Sequence, residues 1–136
     1  MAEFRDKWPE MRMKHLELVQ NAITRMGTNS SSLKGYCMAI VAALIGLAGA
    51  IDKPRILFFG LSIVAVFAIL DGSYLALERG FRQQYDDLRV LPLDTQPDFE
   101  IAPKGSASAL GMLITWSVAG FYGAAVAILI AVGSLM

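Results

Sequence analysis

Residues 56–77 read ILFFGLSIVAVFAILDGSYLAL and contain a single charged side chain, that of Asp71. A helix that crosses the hydrocarbon core of a bilayer, about 30 Å thick, needs roughly 20 predominantly apolar residues. Residues 35–51 and 110–136 carry no charge at all. The first of these two stretches is short, so its helix is expected to begin near Leu33. Because the alternation typical of a barrel strand is missing, the sequence predicts three transmembrane helices.

The composition of the whole chain also differs from that of a soluble domain. Hydrophobic residues make up 55% of the 136 residues, charged residues make up 18%, and the mean hydropathy is +0.50. A soluble domain averages roughly 45–50% apolar and about 25% charged residues. The 12 basic and 12 acidic side chains cancel, which argues against a nucleic-acid partner bound through a basic surface. The single cysteine excludes a scaffold held by internal disulfides. The partner that we expect is the lipid bilayer.

The basic residues are distributed unevenly between the two sides that three spans create. Six lie before residue 35, where the first uncharged stretch begins, two lie in the turn at 52–55, and four lie between the second and third spans. The groups of six and four share one side of the membrane, and the positive-inside rule places that side in the cytoplasm. We therefore expect a multi-pass protein of the bacterial inner (cytoplasmic) membrane, with its N-terminus in the cytoplasm and its C-terminus outside.

The polar parts of the chain have helical character as well. Residues 10–26 place apolar side chains at three- and four-residue steps, as in an amphipathic helix. The following GTNSSS, residues 27–32, predicts a glycine-ended helix and a hinge. The predicted organisation is an amphipathic helix and hinge (1–32), the first span (33–51), an outer loop (52–55), the second span with a cytoplasmic helical extension (56–89), an extended linker with three prolines (90–107) and the third span (108–136).

These elements predict an all-α integral membrane protein with three transmembrane helices, in which the N-terminal amphipathic cytoplasmic helix packs on the cytoplasmic extension of the second span. The alternative, a helix that lies flat on the lipid, is less favoured because its polar face carries charges of both signs. The apolar side chains of the two cytoplasmic helices also offer a docking surface for a soluble cytoplasmic partner protein. The residues of this predicted docking surface are Leu18, Val19, Ile23, Phe81, Tyr85 and Leu88.

Asp71 is the candidate functional residue within the predicted transmembrane helices, and it lies in the second of them. A carboxylate inside a bilayer costs up to about 3 kcal/mol, so its side chain is expected to face protein or water. One interpretation is a proton or cation relay, or a gate inside an oligomeric pore. The other is a structural contact, in which Asp71 accepts hydrogen bonds from hydroxyl groups or pairs with Lys34. The polar or gating candidates, including Glu78 seven residues further along the same helix face, are Asp71, Ser73, Tyr74 and Glu78.

Small residues recur at every fourth position in two of the predicted spans. Such rows let the backbones of transmembrane helices approach closely, and this contact favours association in lipid. The rows are explained either by packing within one subunit or by self-association, and their presence on two different helices favours a homo-oligomer. The predicted packing residues are Ala42, Gly46 and Ala50 in the first span and Ala119, Gly123, Ala127 and Ala131 in the third.

The sequence contains no motif that indicates an enzyme. His15 is the single histidine and has no cysteine at ligand spacing, so no metal site is predicted. Cys37 is expected to be a small buried thiol. Glycine-rich phosphate loops, nucleophile elbows and Ser-His-Asp arrangements are not found. We therefore expect a protein without enzymatic activity, without a metal and without a cofactor.

Two stretches carry a resemblance to a known group of proteins. They are MKHLELVQNAITRMGTNSSSLKGYCMAIVAALIGLAG (13–49) and LDGSYLALERGFRQQYDDLR (70–89). Their layout, an amphipathic helix, two close spans and a cytoplasmic helical extension, is similar to that of the SLATT-like small transmembrane modules of prokaryotic conflict systems. The resemblance implies a membrane-perturbing effector of anti-phage defence that a partner or a nucleotide sensor triggers. This chain adds a third span and has no recognisable sensor domain, so its trigger would come from another protein. No functional residue is implied, since the resemblance supplies no catalytic motif.

The sequence leaves three functions open. The first is a homo-oligomeric inner-membrane effector of a bacterial defence system, held closed by its cytoplasmic part until a partner triggers it to perturb or perforate the bilayer. The second is a passive membrane anchor or accessory subunit that docks a soluble cytoplasmic partner. The third is a small oligomeric channel or transporter that uses Asp71. A phage holin fits poorly, because the N-terminus is long, charged and predicted to be cytoplasmic.

Overall fold

The computed structural model describes residues 2–105 and 107–136, and the described residues form helices and no strand. Residue 1 of the predicted N-terminal segment and residue 106 of the predicted linker lie outside this part. The elements are α1 (Ala2–Arg5), α2 (Trp8–Ile51), a 3-10 turn (Pro54–Ile56), α3 (Leu57–Arg89), α4 (Ala109–Met112), a π-helical turn (Trp116–Gly120) and α5 (Phe121–Leu135). The all-helical fold class is confirmed.

Three helical stretches are long and apolar enough to cross a membrane. They are Trp8–Ile51, Pro54–Arg89 and Trp116–Leu135. Their number confirms the prediction of three such helices. The first two continue well beyond their apolar parts, whereas the third is apolar over its whole length.

α2 is a single helix of 44 residues, about 66 Å long at the usual rise per residue. The hinge predicted over residues 27–32 is therefore wrong. Two hydroxyl groups of this stretch have partners that leave the helix intact. Thr28 Oγ1 donates to the carbonyl of Thr24, 3.0 Å away, and Ser30 Oγ donates to Asp71. A hydroxyl bonded to the carbonyl one turn earlier is compatible with a continuing helix.

α2 and α3 form an antiparallel hairpin with a short connection. Asp52 has a φ of 52°, the left-handed conformation that commonly ends a helix. The N–H of Lys53 donates to the carbonyl of Ala48 at 3.1 Å. Pro54 then begins the 3-10 turn, where its lack of an N–H costs no hydrogen bond. The two helices pack along their length, so that the beginning of α2 meets the end of α3.

The third apolar stretch, predicted as one span over 108–136, is interrupted in the structure. Ser108 Oγ accepts a hydrogen bond from the N–H of Gly111 and caps the single turn of α4. Thr115 is extended, with φ −71° and ψ 146°. Its hydroxyl donates to the carbonyl of Met112 at 2.6 Å, which satisfies a carbonyl that a continuous helix would have bonded. The helix is re-formed only from Trp116 onward.

Apolar side chains are buried in two separate clusters. The apolar core lies between the three apolar stretches and contains Cys37, Val41, Ala48, Leu57, Val64, Val118, Tyr122, Ala125 and Leu129. The cap cluster lies between the first half of α2 and the end of α3 and contains Val19, Ala22, Ile23, Met26, Phe81 and Leu88. We call the part of the hairpin that surrounds the cap cluster, residues 8–29 and 78–89, the cap.

Gly72 of α3 is needed for the close approach of α4. A Cβ built on Gly72 would lie 2.7 Å from the carbonyl oxygen of Ala109, closer than such atoms approach in proteins. Gly35 of α2 provides a contrast, because a Cβ there meets nothing within 4 Å. A methyl group added at Gly72 would therefore push α4 away, whereas one added at Gly35 would displace nothing.

We expect Gly72→Ala to lower the free energy of unfolding by about 1–3 kcal/mol, because α4 has to move away from α3. Gly35→Ala is the matched control and is expected to be neutral or to stabilise the helix by up to about 1 kcal/mol. The measurement is unfolding of the detergent-solubilised protein by heat or denaturant. Equal stability of the two variants would contradict the close packing of α4 on α3.

Candidate functional site

Asp71 lies between the apolar core and the cap, and none of its surface is exposed. Nζ of Lys34 lies 2.5 Å from its Oδ2 atom, and Ser30 Oγ donates a hydrogen bond to its Oδ1 atom. Ser30 and Lys34 are one turn apart on α2 and so face the same point of α3. Lys34 Nζ also donates to Ser30 Oγ at 3.1 Å. We call these three side chains the Asp71 site.

The Asp71 site is an ion pair without net charge. Both carboxylate oxygens of Asp71 have a donor, as a buried carboxylate requires. The Lys34 side chain is 19% exposed whereas that of Asp71 is 0% exposed, so the lysine reaches the carboxylate from the edge of the bundle with its aliphatic stem along apolar surface. These contacts are those of the structural interpretation, which named Lys34 as a partner.

The third apolar helix brings Tyr122 to the same level of the bundle. Its hydroxyl is buried beside the Asp71 carboxyl group but makes no hydrogen bond to a described residue. Cys37, which the sequence predicted to be a buried thiol, lies with Tyr122 in the apolar core. The Asp71 site is thus bounded by all three apolar helices, and the Tyr122 hydroxyl is an unused donor at its border.

The other polar candidates do not join Asp71. Ser73 Oγ donates to the carbonyl one turn earlier in its own helix, at 2.9 Å. Tyr74 packs on the cap cluster. Glu78 accepts hydrogen bonds from Nε and Nη2 of Arg82 at 2.9 and 2.7 Å. Although Asp71 and Glu78 share a helix face, no described side chain connects them into a polar track.

Both predicted rows of small residues lie on the outer surface of the helical bundle. All seven members are exposed, and a Cβ built on Gly46 or Gly123 meets nothing within 4 Å. The packing inside the chain uses other small residues of the same helices, such as Ala48 and Ala125, which are 0% and 1% exposed. Both rows are therefore largely open to the outside of the bundle, and Ala119 and Gly123 line a groove whose other wall is α3.

The predicted docking surface is largely occupied by the chain itself. Four of its six members are between 0% and 8% exposed and belong to the cap cluster, and two are half-buried. The buried four are Val19, Ile23, Phe81 and Leu88, and the half-buried two are Leu18 and Tyr85. The apolar stripes of α2 and α3 cover each other, so a partner would have to separate the helices to reach the buried four, and docking through these residues stays a prediction.

A second polar site joins the cap to the linker. Arg12, His15 and Gln84 are buried, with exposures of 4%, 0% and 1%. Arg12 donates through Nη1 to a carbonyl in the last turn of α3 and through Nη2 to the carbonyl of Thr95, at 3.0 and 2.9 Å. The carbonyl of Glu100 lies 2.6 Å from His15 Nε2 and accepts from Gln84 Nε2 at 2.7 Å. Linker backbone is therefore bound directly by side chains of both cap helices.

Sequence reasoning did not predict this second site. A signal was present at His15, which falls on the apolar stripe of residues 10–26 and must therefore be buried with a polar partner. Its partner could not be derived, because it is a backbone carbonyl of a segment without periodicity. The described residues contain no cluster of three His, Cys, Asp or Glu side chains able to hold a metal ion.

Comparison of the chain with protein-family models, with curated proteins and with solved structures finds no match. The resemblance to SLATT-like modules stays a prediction.

The Asp71 site predicts an asymmetric effect of its two charges on stability. We expect Lys34→Met to lower the free energy of unfolding by about 3–5 kcal/mol, because it leaves a buried carboxylate without its counter-charge. Asp71→Asn should cost less, about 2–3 kcal/mol, because the partly exposed Lys34 ammonium can turn toward water. The double substitution should recover most of the larger loss. Unfolding of the solubilised variants measures all three.

Ser73→Ala is the control for these variants, since its hydroxyl bonds only to its own helix. It is expected to change the free energy of unfolding by less than about 0.5 kcal/mol. Additive losses in the double variant would show that Asp71 and Lys34 are not coupled.

Proposed function

We propose that this chain is a small integral protein of the bacterial inner membrane, with its N-terminus and linker in the cytoplasm and its C-terminus outside. We further propose that several copies assemble into a defence effector that perturbs or perforates the bilayer when a partner triggers it. Three helices long and apolar enough to span support the insertion. The distribution of the basic residues supports the orientation.

The outward position of both small-residue rows carries the proposal of assembly. In lipid, helices associate through close backbone approach rather than through the hydrophobic effect, and small residues permit that approach. The row that includes Gly46 lies on α2 and the row that includes Gly123 lies on the third helix, so each copy has two separate contact faces. Contact between unlike faces of successive copies closes into a ring when the rotation between copies allows it. A ring can surround a path that three helices cannot enclose alone.

The contacts of the Asp71 site favour a structural role, in which Asp71 holds α2 and α3 together, over a role as an ion relay. Lys34 neutralises the carboxylate, and neither Ser73 nor Glu78 continues a polar path from it. A channel or transporter that uses Asp71 as a relay would need both a mobile proton or cation and a second polar station. We therefore favour the effector over the Asp71-based channel.

A membrane anchor for a soluble partner is the second candidate, and one observation favours it. Val90, Leu91 and Leu93 follow the end of α3 at the part of the cap farthest from the turn of the hairpin, and they are 74%, 41% and 66% exposed. Exposed apolar side chains grouped at the surface are typical of protein interaction sites. In this alternative the cap docks a cytoplasmic protein and the membrane stays intact.

Cysteine crosslinking tests the assembly. In a Cys37→Ser background, a chain that carries both Ala42→Cys and Ala127→Cys, one from each row, is expected to yield disulfide-linked multimers in native membranes, because a disulfide forms only when the two Cα atoms come within about 7 Å. Ala42→Cys combined with Ile128→Cys is the matched control, since Ile128 is 40% exposed on another side of the same helix. Equal crosslinking at Ile128 would indicate random collision and would contradict a contact through the row.

Expression in bacterial cells tests the effector. We expect induction together with the neighbouring genes to collapse the signal of a membrane-potential dye. Gly46→Ile and Gly123→Ile should abolish that collapse at unchanged protein level, because a large side chain blocks close helix contact. An undisturbed potential in the presence of those genes would contradict the effector and favour the anchor.

A further inference from the structure

The linker contains a segment that is bound across the cap like a peptide ligand. Residues 95–104, which we call the clasp segment, contain no helix or strand. Hydrogen bonds to the cap involve four of its backbone groups. They are the carbonyls of Thr95 and Glu100 and the N–H groups of Ala102 and Lys104. The cap therefore binds the main chain of this segment at both of its ends and in its middle.

Gln84 binds the segment as a neighbouring β-strand would. Its Nε2 atom donates to the carbonyl of Glu100 at 2.7 Å, and its Oε1 atom accepts from the N–H of Ala102 at 3.2 Å. The carbonyl of Gly80, one turn earlier on α3, accepts from the N–H of Lys104 at 3.0 Å. A carbonyl and an N–H two residues apart are what an extended chain offers on one edge. The groove thus recognises extended backbone.

The hydrogen bonds that join the clasp segment to the cap use backbone atoms of the segment and none of its side chains. Phe99 and Ile101 are 37% and 45% exposed, and Pro97 is the one buried residue among 95–104. The cap cluster contains no buried residue from the segment. Because these hydrogen bonds are made to backbone atoms of the segment and not to particular side chains, a segment of different sequence can make the same hydrogen bonds to the cap.

The groove also offers hydrogen-bonding groups that the segment leaves unused. Nε of Arg12 and Nδ1 of His15 are buried without a partner among the described residues. Since the carbonyl of Glu100 can only accept, Nε2 of His15 carries the ring proton and Nδ1 is a free acceptor in the neutral ring. The nearest carboxylate oxygen, on Asp98, lies 3.8 Å from Nδ1, beyond hydrogen-bonding distance. A ligand that supplies one more acceptor and one more donor would satisfy both residues.

The backbone of the segment is strained where it passes His15. Phe99 has a φ of 55°, a left-handed conformation that is unfavourable for a bulky residue other than glycine. Its ring stacks on that of His15 at a centroid distance of 5.5 Å. The intramolecular ligand is therefore neither fully bonded nor relaxed, and a better ligand can replace it.

We propose that the groove between α2 and α3 formed by Arg12, His15, Gly80 and Gln84 is a binding site for an extended peptide, occupied in this state by the chain's own residues 95–104. An extended segment of a partner protein displaces them. Displacement releases the linker that leads into α4 and α5, so the third apolar helix gains freedom relative to the hairpin. The inference rests on the proposed function, because it names the place where the triggering partner acts.

A peptide-binding experiment on the full chain in detergent micelles tests the groove. The probe is a fluorescein-labelled peptide of residues 94–104, followed by fluorescence anisotropy. In the unaltered chain the tethered segment has an effective concentration in the millimolar range, so the peptide competes poorly. Ala102→Pro removes the N–H that Gln84 Oε1 binds and should strengthen peptide binding by about tenfold or more, because the intramolecular ligand is weakened.

Two further variants decide whether the binding uses the groove. Adding Gln84→Leu to Ala102→Pro should weaken peptide binding by about tenfold or more, because both hydrogen bonds of Gln84 are lost. Gln20→Leu, on the exposed side of α2, is the matched control and should leave binding unchanged. Circular dichroism verifies that each variant keeps its helices. A folded Ala102→Pro chain that binds no peptide, or binding unaffected by Gln84→Leu, would overturn the proposal.

Hydrogen exchange gives a second and independent measurement. Gln84→Leu in the otherwise unaltered chain should speed exchange of the amides in residues 95–104 by about tenfold, and Gln20→Leu should not. Unchanged exchange in Gln84→Leu would overturn the groove. The proposed function and the peptide site can be contradicted separately. Peptide binding with an undisturbed membrane potential would support the peptide site and contradict the effector. Depolarisation without peptide binding would support the effector and contradict the peptide site.

Discussion

The rest of the structure depends on the need to neutralise one carboxylate among apolar helices. Asp71 is fully buried, and an ionised group without a partner is strongly disfavoured in such surroundings. Lys34 satisfies it from a fixed position on α2, and this sets the register of the long hairpin. Apolar side chains alone allow helices to slide by a turn at modest cost, whereas a slip of about 5.4 Å would separate the two charges. His15 and Gln84 lie further along the same two helices, 19 residues before Lys34 and 13 residues after Asp71, and both reach the carbonyl of Glu100.

The apolar stretches were predictable because their length and lack of charge are properties of single segments. Lys34 was also a foreseeable partner, since it is the nearest basic residue on the expected side of Asp71. The hinge predicted at 27–32 is wrong because a hydroxyl side chain can either cap a helix or form a hydrogen bond to another group. The sequence does not tell which of these two hydrogen bonds Ser30 makes. The break at Thr115 was missed for a related reason: its hydroxyl competes with the backbone for a single carbonyl. The binding of the clasp segment to the cap was the least predictable feature, because its hydrogen bonds use backbone atoms and no pattern of side chains in the sequence indicates where those atoms lie.

Two kinds of interaction hold the cap and the linker together, and they are spatially separate. The cap helices are joined by buried apolar side chains, whose separation would expose them to water at about 25 cal/mol per Å². The clasp segment is joined to the same helices mainly by hydrogen bonds, which water can replace at a small net cost. A change that removes the clasp segment therefore leaves the hairpin folded. The clasp segment can therefore move while the hairpin of α2 and α3 keeps the contacts of the Asp71 site.

The distribution of contacts bears on how the proposed signal would pass from the cap to the third apolar helix. Lys34 and Ser30 satisfy Asp71 within one copy, so the proposed assembly has no need to supply a charge and would depend on the exposed small residues. The third helix is joined to the hairpin by apolar contacts and carries no charged residue: it is interrupted before Trp116, and Val118, Tyr122, Ala125 and Leu129 lie in the apolar core. Of the three apolar helices it is the one that can shift without breaking an ion pair. Since one of the outward rows lies on this helix, the proposed release of the linker would change the angle at which that row meets a neighbouring copy in the proposed assembly.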